Sequence, residues 1–200
     1  METQLIKMQT SSNPESPVLD VIERRRSFRA YSPHPVEKEK IKSLFEAARW
    51  APSSMNEQPW LYILATQQQP ELWQLVFDAL SEGNRVWAVD APVLIVSLAR
   101  TRLKRNGMLN PSAQYDLGAA NALLSLQATA LGLNVHQMGG FDKEQLVKNL
   151  NVPLNEFEPV VIIAVGYPGD VKKLPENLQQ RETAPRARFV QESFVRDKSF

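Results

Sequence analysis

The residues of this 200-residue chain best placed for chemistry are hydrogen-bond donors rather than acids, bases or nucleophiles. Arg24–Tyr31 reads RRRSFRAY, four arginines and one serine in eight positions. Arginine keeps its charge at any ordinary pH and presents a rigid fork of N–H donors. Several of them beside a serine hydroxyl suit a phosphate group, with its strong acceptor oxygens and about two negative charges. A solvated helix end with a favourable cation–dipole interaction has the same composition, so the run has to be weighed with the rest of the chain. More donors stand in Ser53-Ser54-x-Asn56-x-Gln58, in the turn Gly139-Gly140, and in Arg186 and Arg188. That inventory suits the holding of a large polar cofactor that brings its own reactivity.

Other chemistries find no support. The absence of cysteine excludes disulfides, thiolate nucleophiles and thiolate metal sites. With His34 and His136 as the only histidines, no metal site is expected. Ser53-Ser54 matches no triad, GxGxxG and Walker A are missing, and the carboxylates are scattered, so no catalytic side chain is nominated. A net charge of +1 gives no basic field for nucleic acid. The start, METQLIKMQTSSNPESP, has no apolar signal region and reads as a cytoplasmic tail, flexible over residues 1–16. The longest apolar run, Pro92–Ala99, is too short to span a bilayer.

Residues 17–200 are expected to form one domain. Ser16 and Pro17 predict the cap and first position of a helix that carries Val18, Val21 and Ile22 into the arginine run. Ile41, Leu44, Phe45 and Ala48 mark one face of a second helix, which must stop by Ala51 because Pro52 follows. The polar loop APSSMNEQPW leads into a strand at Trp60–Ala65. Pro70 opens a third helix carrying Trp73, Val76, Phe77 and Leu80, which Gly83-Asn84 ends or loosens. Pro92–Leu98 reads as a strand buried on both faces, and Thr101–Ser112 as a basic loop able to move or form a lid. Gln114–Leu131 is apolar or small nearly all round, which marks a buried helix ending at Gly132. A strand at Asn134–Met138, a helix capped by Asp142 with Gln145 three residues on, and a strand at Pro159–Tyr167 follow. The last thirty or so residues are polar but carry Phe189, Phe194 and Phe200, which need something to pack on. This order is not a regular β-α-β alternation, so a doubly wound sheet is not favoured.

RRRSFRAY, APSSMNEQPW, GGFD after a buried helix, and PRAR near the end stand in the order and spacing of the FMN-dependent nitroreductase family, which the chain resembles from about residue 17 to 190. The resemblance implies an α+β fold: a mixed, mainly antiparallel sheet flanked by helices, in an interlocked homodimer whose C-terminal extension reaches over the partner and whose interface holds two FMN molecules. It implies phosphate and ribityl contacts from Arg25, Arg26 and Ser27, and a cation facing the flavin pyrimidine at Arg29. Pro52, Ser53, Ser54 and Asn56 would approach the same flavin from the other subunit. Met138, Gly139 and Gly140 would offer backbone groups to the ring, and Arg186 and Arg188 would complete the phosphate site. Asn84 matches a flavin-contacting asparagine through its spacing to Asp90-Ala91-Pro92. Where some members have a lysine this chain has Trp87, which leaves Arg29 as the cation at the pyrimidine. The Thr101–Ser112 segment is short beside members with a helical insertion, so the substrate does not carry over.

Blander roles stand beside these: Arg24 facing solvent, Trp60 in the core, His136 as a satisfied structural histidine, Gln58 bonded to backbone, and Gly139-Gly140 as a turn only. The implied activity passes hydride from NADH or NADPH through FMN to a small electron-poor acceptor, such as a nitroaromatic or quinone, in a ping-pong cycle with the chemistry carried by FMN. The alternatives are a flavin dehydrogenase or reductive dehalogenase of the same fold, and a flavin-binding protein without turnover.

Overall fold

The computed structural model describes residues 10–197 and 199; residues 1–9 of the expected flexible tail, and Phe200, lie outside the described residues. In chain order the elements are strand β1 (Thr10–Ser11), helices α1 (Asp20–Arg24) and α2 (Lys38–Arg49), strand β2 (Trp60–Thr66), helices α3 (Pro70–Phe77) and α4 (Glu82–Ala88), strand β3 (Val93–Arg100), helix α5 (Ala113–Ala130), strand β4 (Asn134–Met138), helix α6 (Lys143–Leu150), strand β5 (Phe157–Gly166), helix α7 (Glu176–Thr183) and strand β6 (Arg188–Phe189). The main sheet has the order β2-β3-β5-β4 with every pair antiparallel. A parallel bridge between Ser27 and Val135 lays the arginine-rich segment along the outer edge of β4 and makes the sheet mixed. The class is α+β, as the sequence implied.

Alternation along β3 sorts its side chains into two cores. Leu94, Val96 and Leu98 pack with Trp73, Val76, Trp87 and Leu146 from α3, α4 and α6. Val93 and Ile95 pack with Ile41, Leu44 and Leu124 from α2 and α5. Each such side chain contributes roughly 1.5–3 kcal/mol on burial, so the two faces of β3 hold both helical layers onto one sheet. The face expected for α2 is the one it buries. In α5 the buried positions, Ala113, Asp116, Leu117, Ala120, Asn121, Leu124, Ser125 and Ala128, fall on one face, while Tyr115, Gly118 and Ala122 on the other are exposed, so the helix is buried on one side and not all round as its composition suggested; Gly132, at φ +73°, follows its end. The Asp142 carboxylate accepts the Gln145 N–H at 2.9 Å and caps α6, as its spacing predicts.

Four further segments differ from the sequence-based expectation. Helix α1 begins at Asp20, with Leu19 and not Ser16 before its first turn, and has five residues. So short a helix has little stability of its own, and Val18, Leu19 and Ile22 stay 48%, 70% and 45% exposed. Gly83 and Asn84 do not end a helix; they open α4, where burial of Trp87 and Ala88 outweighs the modest helical cost of one glycine. Thr101–Ser112 is tied down as a hairpin by Leu103 N–H to Met108 O, Asn110 N–H to Thr101 O (each 2.8 Å) and Arg102 Nη1 to Gly107 O (3.0 Å). The C-terminal stretch contains α7, which docks through Leu174 and Leu178 and buries Glu182. It also returns to the N-terminal segment: β1 and β6 pair antiparallel, and the Gln191 N–H donates to Glu15. Among the described residues no helix is long and apolar enough to cross a membrane, and no group of three or more histidines and carboxylates could hold a metal ion.

Candidate functional site

The bridge from Ser27 to Val135 brings Arg25 beside the C-terminal segment that carries Arg186 and Arg188. Arg186 is fixed by backbone: Nη1 donates to Arg25 O at 2.7 Å and Nη2 to Glu23 O. The Arg25 guanidinium is half-buried and has no hydrogen bond or ion pair among the described residues. Burial, then the charges of Arg186 and Arg188, hold its pKa below the ordinary value. Arg186 is lowered in the same direction, by burial, Arg188 and Arg26. Three guanidiniums gathered here, with Glu15 and Glu23 at the same pocket and Glu23 partly offsetting the charge felt by Arg186, leave a positive excess that fits a dianion such as a phosphate monoester. They line a pocket of about 330 Å³ with Ser11 to Ser16. Arg25 is shared with a second pocket of about 340 Å³, which Ser27, Ser125, Val135 and Gln137 also line.

Not every arginine of the first motif joins this cluster. Arg24 pairs with Asp20 at 2.6 Å on the surface. Arg26 Nη2 donates to Ala184 O at 2.7 Å, and Arg26 lines neither pocket. Arg29 is held by Glu182, whose Oε1 accepts the N–H groups of Arg29 (2.7 Å) and Ala30 (3.0 Å) while Oε2 lies 3.8 Å from Arg29 Nη1. Burial, then the charge of Arg181, lowers the Arg29 pKa, and Glu182 opposes the shift.

Beyond Gln137, β4 ends at Met138, whose side chain is in the core, and opens into the Gly139-Gly140 turn. A cleft of about 660 Å³ lies here, lined by Ser81, Arg85, Gly139, Gly140 and Asp142 among others. Gly140 O accepts from Ser81 N–H (3.0 Å) and from Asn84 Nδ2 (2.9 Å). A Cβ on Gly140 would lie 2.9 Å from Asn84 Nδ2 and from Ser81 Oγ, so glycine permits this contact between turn and helix. Trp87 is buried against His136 (ring centroids 4.6 Å apart) and Tyr31 (6.1 Å). His136 Nδ1 lies 3.0 Å from Phe28 O, a group that only accepts, so this nitrogen carries the proton. Burial is the main cause that pushes the imidazole down to about 4, with Arg29, Arg181 and Arg25 adding to it. His136 is therefore neutral near pH 7 and structural.

Pro52, Ser53, Ser54 and Asn56 line none of these pockets. Their loop runs into β2 at the opposite edge of the sheet from β4 and is pinned from below, with Ser54 N–H donating to Asp116 at 3.0 Å and Gln58 N–H to Ser53 Oγ at 3.0 Å. Gln58 Nε2 bonds Asn56 O and Oδ1. Met55, Asn56 and Gln58 all have left-handed backbone (φ 54°, 56° and 48°). Such conformations in residues other than glycine cost free energy and collect where function demands them. The chain thus gathers Arg25, Ser27, Arg186, Arg188 and the Gly139-Gly140 turn along one edge, and holds the PSSMN loop apart from them. The buried polar residues Glu57, Asp116, Asn121 and Glu182 were not among the sequence-based candidates, although Asp116 is the one charged residue of α5 and Asn121 stands among its alanines and leucines.

Comparison with known proteins agrees with the fold and the motifs. Residues 22–167 match the profile of the nitroreductase family; Arg186 and Arg188 lie beyond the matched span. A protein of Archaeoglobus fulgidus that carries the provisional name NADH dehydrogenase/NAD(P)H nitroreductase is 31% identical over 163 residues, 79% of this chain and 89% of its own length. A crystal structure described as an oxidoreductase containing FMN superposes with a TM-score of 0.88 at 32% identity, covering 94% of this chain and 95% of that one. A protein of Desulfovibrio desulfuricans, provisionally named a nitroreductase and solved in complex with FMN, gives a TM-score of 0.69 at 25% identity over 94% and 99% of the two chains. With the fold, the motif order and more than half of the sequence matched, the chain belongs to the nitroreductase family.

Proposed function

We propose that this chain is an FMN-dependent oxidoreductase that takes hydride from NADH or NADPH and passes it to a small, electron-poor acceptor such as a nitroaromatic or quinone. The observation that carries the reading is the arginine cluster around the unbonded Arg25 guanidinium at one end of β4 with the Gly139-Gly140 cleft at the other. FMN has the matching asymmetry, a dianionic phosphate at one end and a flat ring with an imide edge at the other. When bound, FMN supplies the hydride chemistry, and the protein's work is placement and electrostatics.

The residues divide that work. Arg25, Arg186 and Arg188 neutralise and orient the phosphate, with Ser27 beside them. Asn84 has committed Nδ2 to Gly140 O and keeps Oδ1 as an acceptor for an imide N–H. Arg29 supplies a cation that favours negative charge at the pyrimidine edge. His136, neutral and bonded to a carbonyl, is no proton source near pH 7. The working unit is a homodimer, in which the PSSMN loop of one protomer completes the site of the other. Two features support this: the separation of that loop from the rest of the site, and exposed apolar side chains such as Trp50, Met55 and Tyr115, which are 73%, 72% and 81% exposed. Isolated exposed apolar residues are ordinary, but several on neighbouring elements around α5 mark an interface.

The test is the visible spectrum of the purified protein, followed by NADH and NADPH oxidation with a nitroaromatic acceptor. Flavin absorbance with turnover supports the reading. Bound flavin without turnover assigns a flavin carrier, and no flavin after reconstitution with FMN refutes the reading.

A further inference from the structure

Gln137 sits near the end of β4, where alternation turns Val135 and Gln137 toward α5 and Met138 toward the opposite core. An exposed glutamine ordinarily rotates freely, and fixing it costs entropy. This one is fixed. Its Nε2 lies 3.0 Å from Ser125 Oγ and 3.3 Å from Asn121 O. Asn121 O is a backbone carbonyl that only accepts, so the amide face turned toward it must be the NH₂. Ser125 Oγ donates to the same carbonyl at 2.8 Å and is left to accept from Gln137. Ser125 and Asn121 are themselves 3% and 2% exposed. Asn121 is held in turn by Ser97 Oγ, 2.8 Å from its Nδ2, and by the Tyr62 hydroxyl, 2.9 Å from its Oδ1. A hydrogen-bonded chain therefore runs from the centre of the sheet to the carboxamide of Gln137.

Gln137 Oε1 has no hydrogen-bond partner among the described residues, and Gln137 lines the pocket that Arg25 and Ser27 share. That pocket lies between the arginine cluster, with which it shares Arg25, and the Gly139-Gly140 turn two residues further along. Gln137 is exposed, so water serves this oxygen in the free protein, and a ligand that displaces the water must supply a donor in its place. With a phosphate at one end and a flavin ring at the other, the part of FMN left for this stretch is its polyol chain, a row of hydroxyl donors. We propose that Gln137 Oε1 accepts a hydrogen bond from a hydroxyl of that chain, and that Asn121 and Ser125 are positioning residues that aim it. The assignment rests on the FMN reading above and adds a selection for flavins that carry a polyol.

The test compares three ligands by flavin fluorescence titration on the flavin-free protein: FMN, riboflavin, which lacks the phosphate, and lumiflavin, which lacks the polyol as well. Gln137→Leu should weaken FMN and riboflavin by the same factor, about two- to twelvefold for one neutral hydrogen bond, and leave lumiflavin unchanged. Ser125→Ala, which frees the carboxamide without removing it, should produce a smaller loss in the same pattern. Circular dichroism and the thermal midpoint check that both variants are folded; if Gln137→Leu is not, Ser125→Ala alone decides. An equal loss for lumiflavin, or no loss for FMN and riboflavin, overturns the assignment while the FMN reading stands. Failure of the unaltered protein to bind any of the three refutes the FMN reading itself, and this assignment with it.

Discussion

Replacing Glu182 separates two things its carboxylate does. Oε1 accepts the main-chain N–H groups of Arg29 and Ala30 at 2.7 and 3.0 Å, and Oε2 faces Arg29 Nη1 at 3.8 Å, on a side chain only 3% exposed. Glu182→Ala strips the acceptor from both donors and removes the counter-charge from a guanidinium whose side chain is 15% exposed. Removing one partner of a buried ion pair costs about 3–5 kcal/mol; the long Nη1–Oε2 separation places this loss toward the lower end, about 3–4 kcal/mol. Glu182→Gln retains an acceptor oxygen and loses only the charge, so about 1–2 kcal/mol is expected, the difference between a charged and a neutral hydrogen bond. Urea unfolding of the flavin-free protein, read as the shift in midpoint at unchanged slope, measures both. A loss under about 1 kcal/mol for Glu182→Ala would refute the reasoning. A redox titration of the FMN-loaded protein then tests the electrostatic side. Arg29→Gln removes a cation from the proposed pyrimidine edge and should lower the flavin midpoint, whereas Glu182→Gln uncovers that cation and should raise it. Shifts of some tens of millivolts are expected, since about 30 mV corresponds to 1.4 kcal/mol for a two-electron couple. Shifts in the same direction would mean that the pair acts on the flavin through structure alone.

Three further outcomes follow from the same geometry. Arg25→Ala and Arg188→Ala should each weaken FMN by about ten- to a hundredfold, the value of a charged hydrogen-bonding partner, and barely affect riboflavin; equal losses for both ligands would place these arginines away from the phosphate. His136 is pushed down to about 4 from an ordinary 6.5, so as pH falls below 6.5 the unfolded chain takes up the proton first and stability is lost, by about 3 kcal/mol once pH reaches 4. Urea unfolding at pH 7, 5.5 and about 4.5 should show a shallower decline for His136→Gln than for the unaltered chain, and parallel declines would exclude the histidine as the cause. Gly140→Ala places a Cβ 2.9 Å from Asn84 Nδ2 and Ser81 Oγ and should cost about 1–3 kcal/mol, while Gly139→Ala meets nothing within 4 Å and should cost less; the same unfolding assay reads the difference, and equal costs would show that the Gly140 contact is not limiting.

What was legible in the sequence is what periodicity and local chemistry encode. The buried face of α2, the two-sided burial of β3 and the Asp142 cap each follow from spacing within one element, whereas the small and apolar residues all round α5 suggested full burial of a helix that buries one face. Gly83-Asn84 misled because glycine disfavours a helix only weakly, and packing of Trp87 decides the matter from a distance. Helix α7 was missed because ENLQQRET has a weak apolar side whose partners lie far away in the chain. The RRRSFRAY run shows the same division. Its composition suits a phosphate, but composition cannot tell the arginine that stands free among the described residues, Arg25, from those spent on Asp20, Ala184 O and Glu182.

The polar residues that the sequence reading passed over share a physical role. Irregular backbone that leaves the surface must still find partners for its N–H groups. The PSSMN loop finds one in Asp116, the turn of the 101–112 hairpin finds one for Lys104 N–H in Glu57 at 2.8 Å, and the extended stretch after RRRSF finds one in Glu182. Each acceptor is a buried carboxylate, and each serves a segment that carries candidate site residues or stands beside one. A lone carboxylate in an apolar stretch is expensive to bury unless a donor waits for it. Asp116 is the one charged residue of α5 and lies in its first turn, where a carboxylate also suits the helix dipole, so it is its burial that calls for a donor from outside the helix, which Ser54 N–H supplies. The arginine, serine and asparagine donors make up the face of the candidate site, and these buried carboxylates fix backbone on which or beside which they stand.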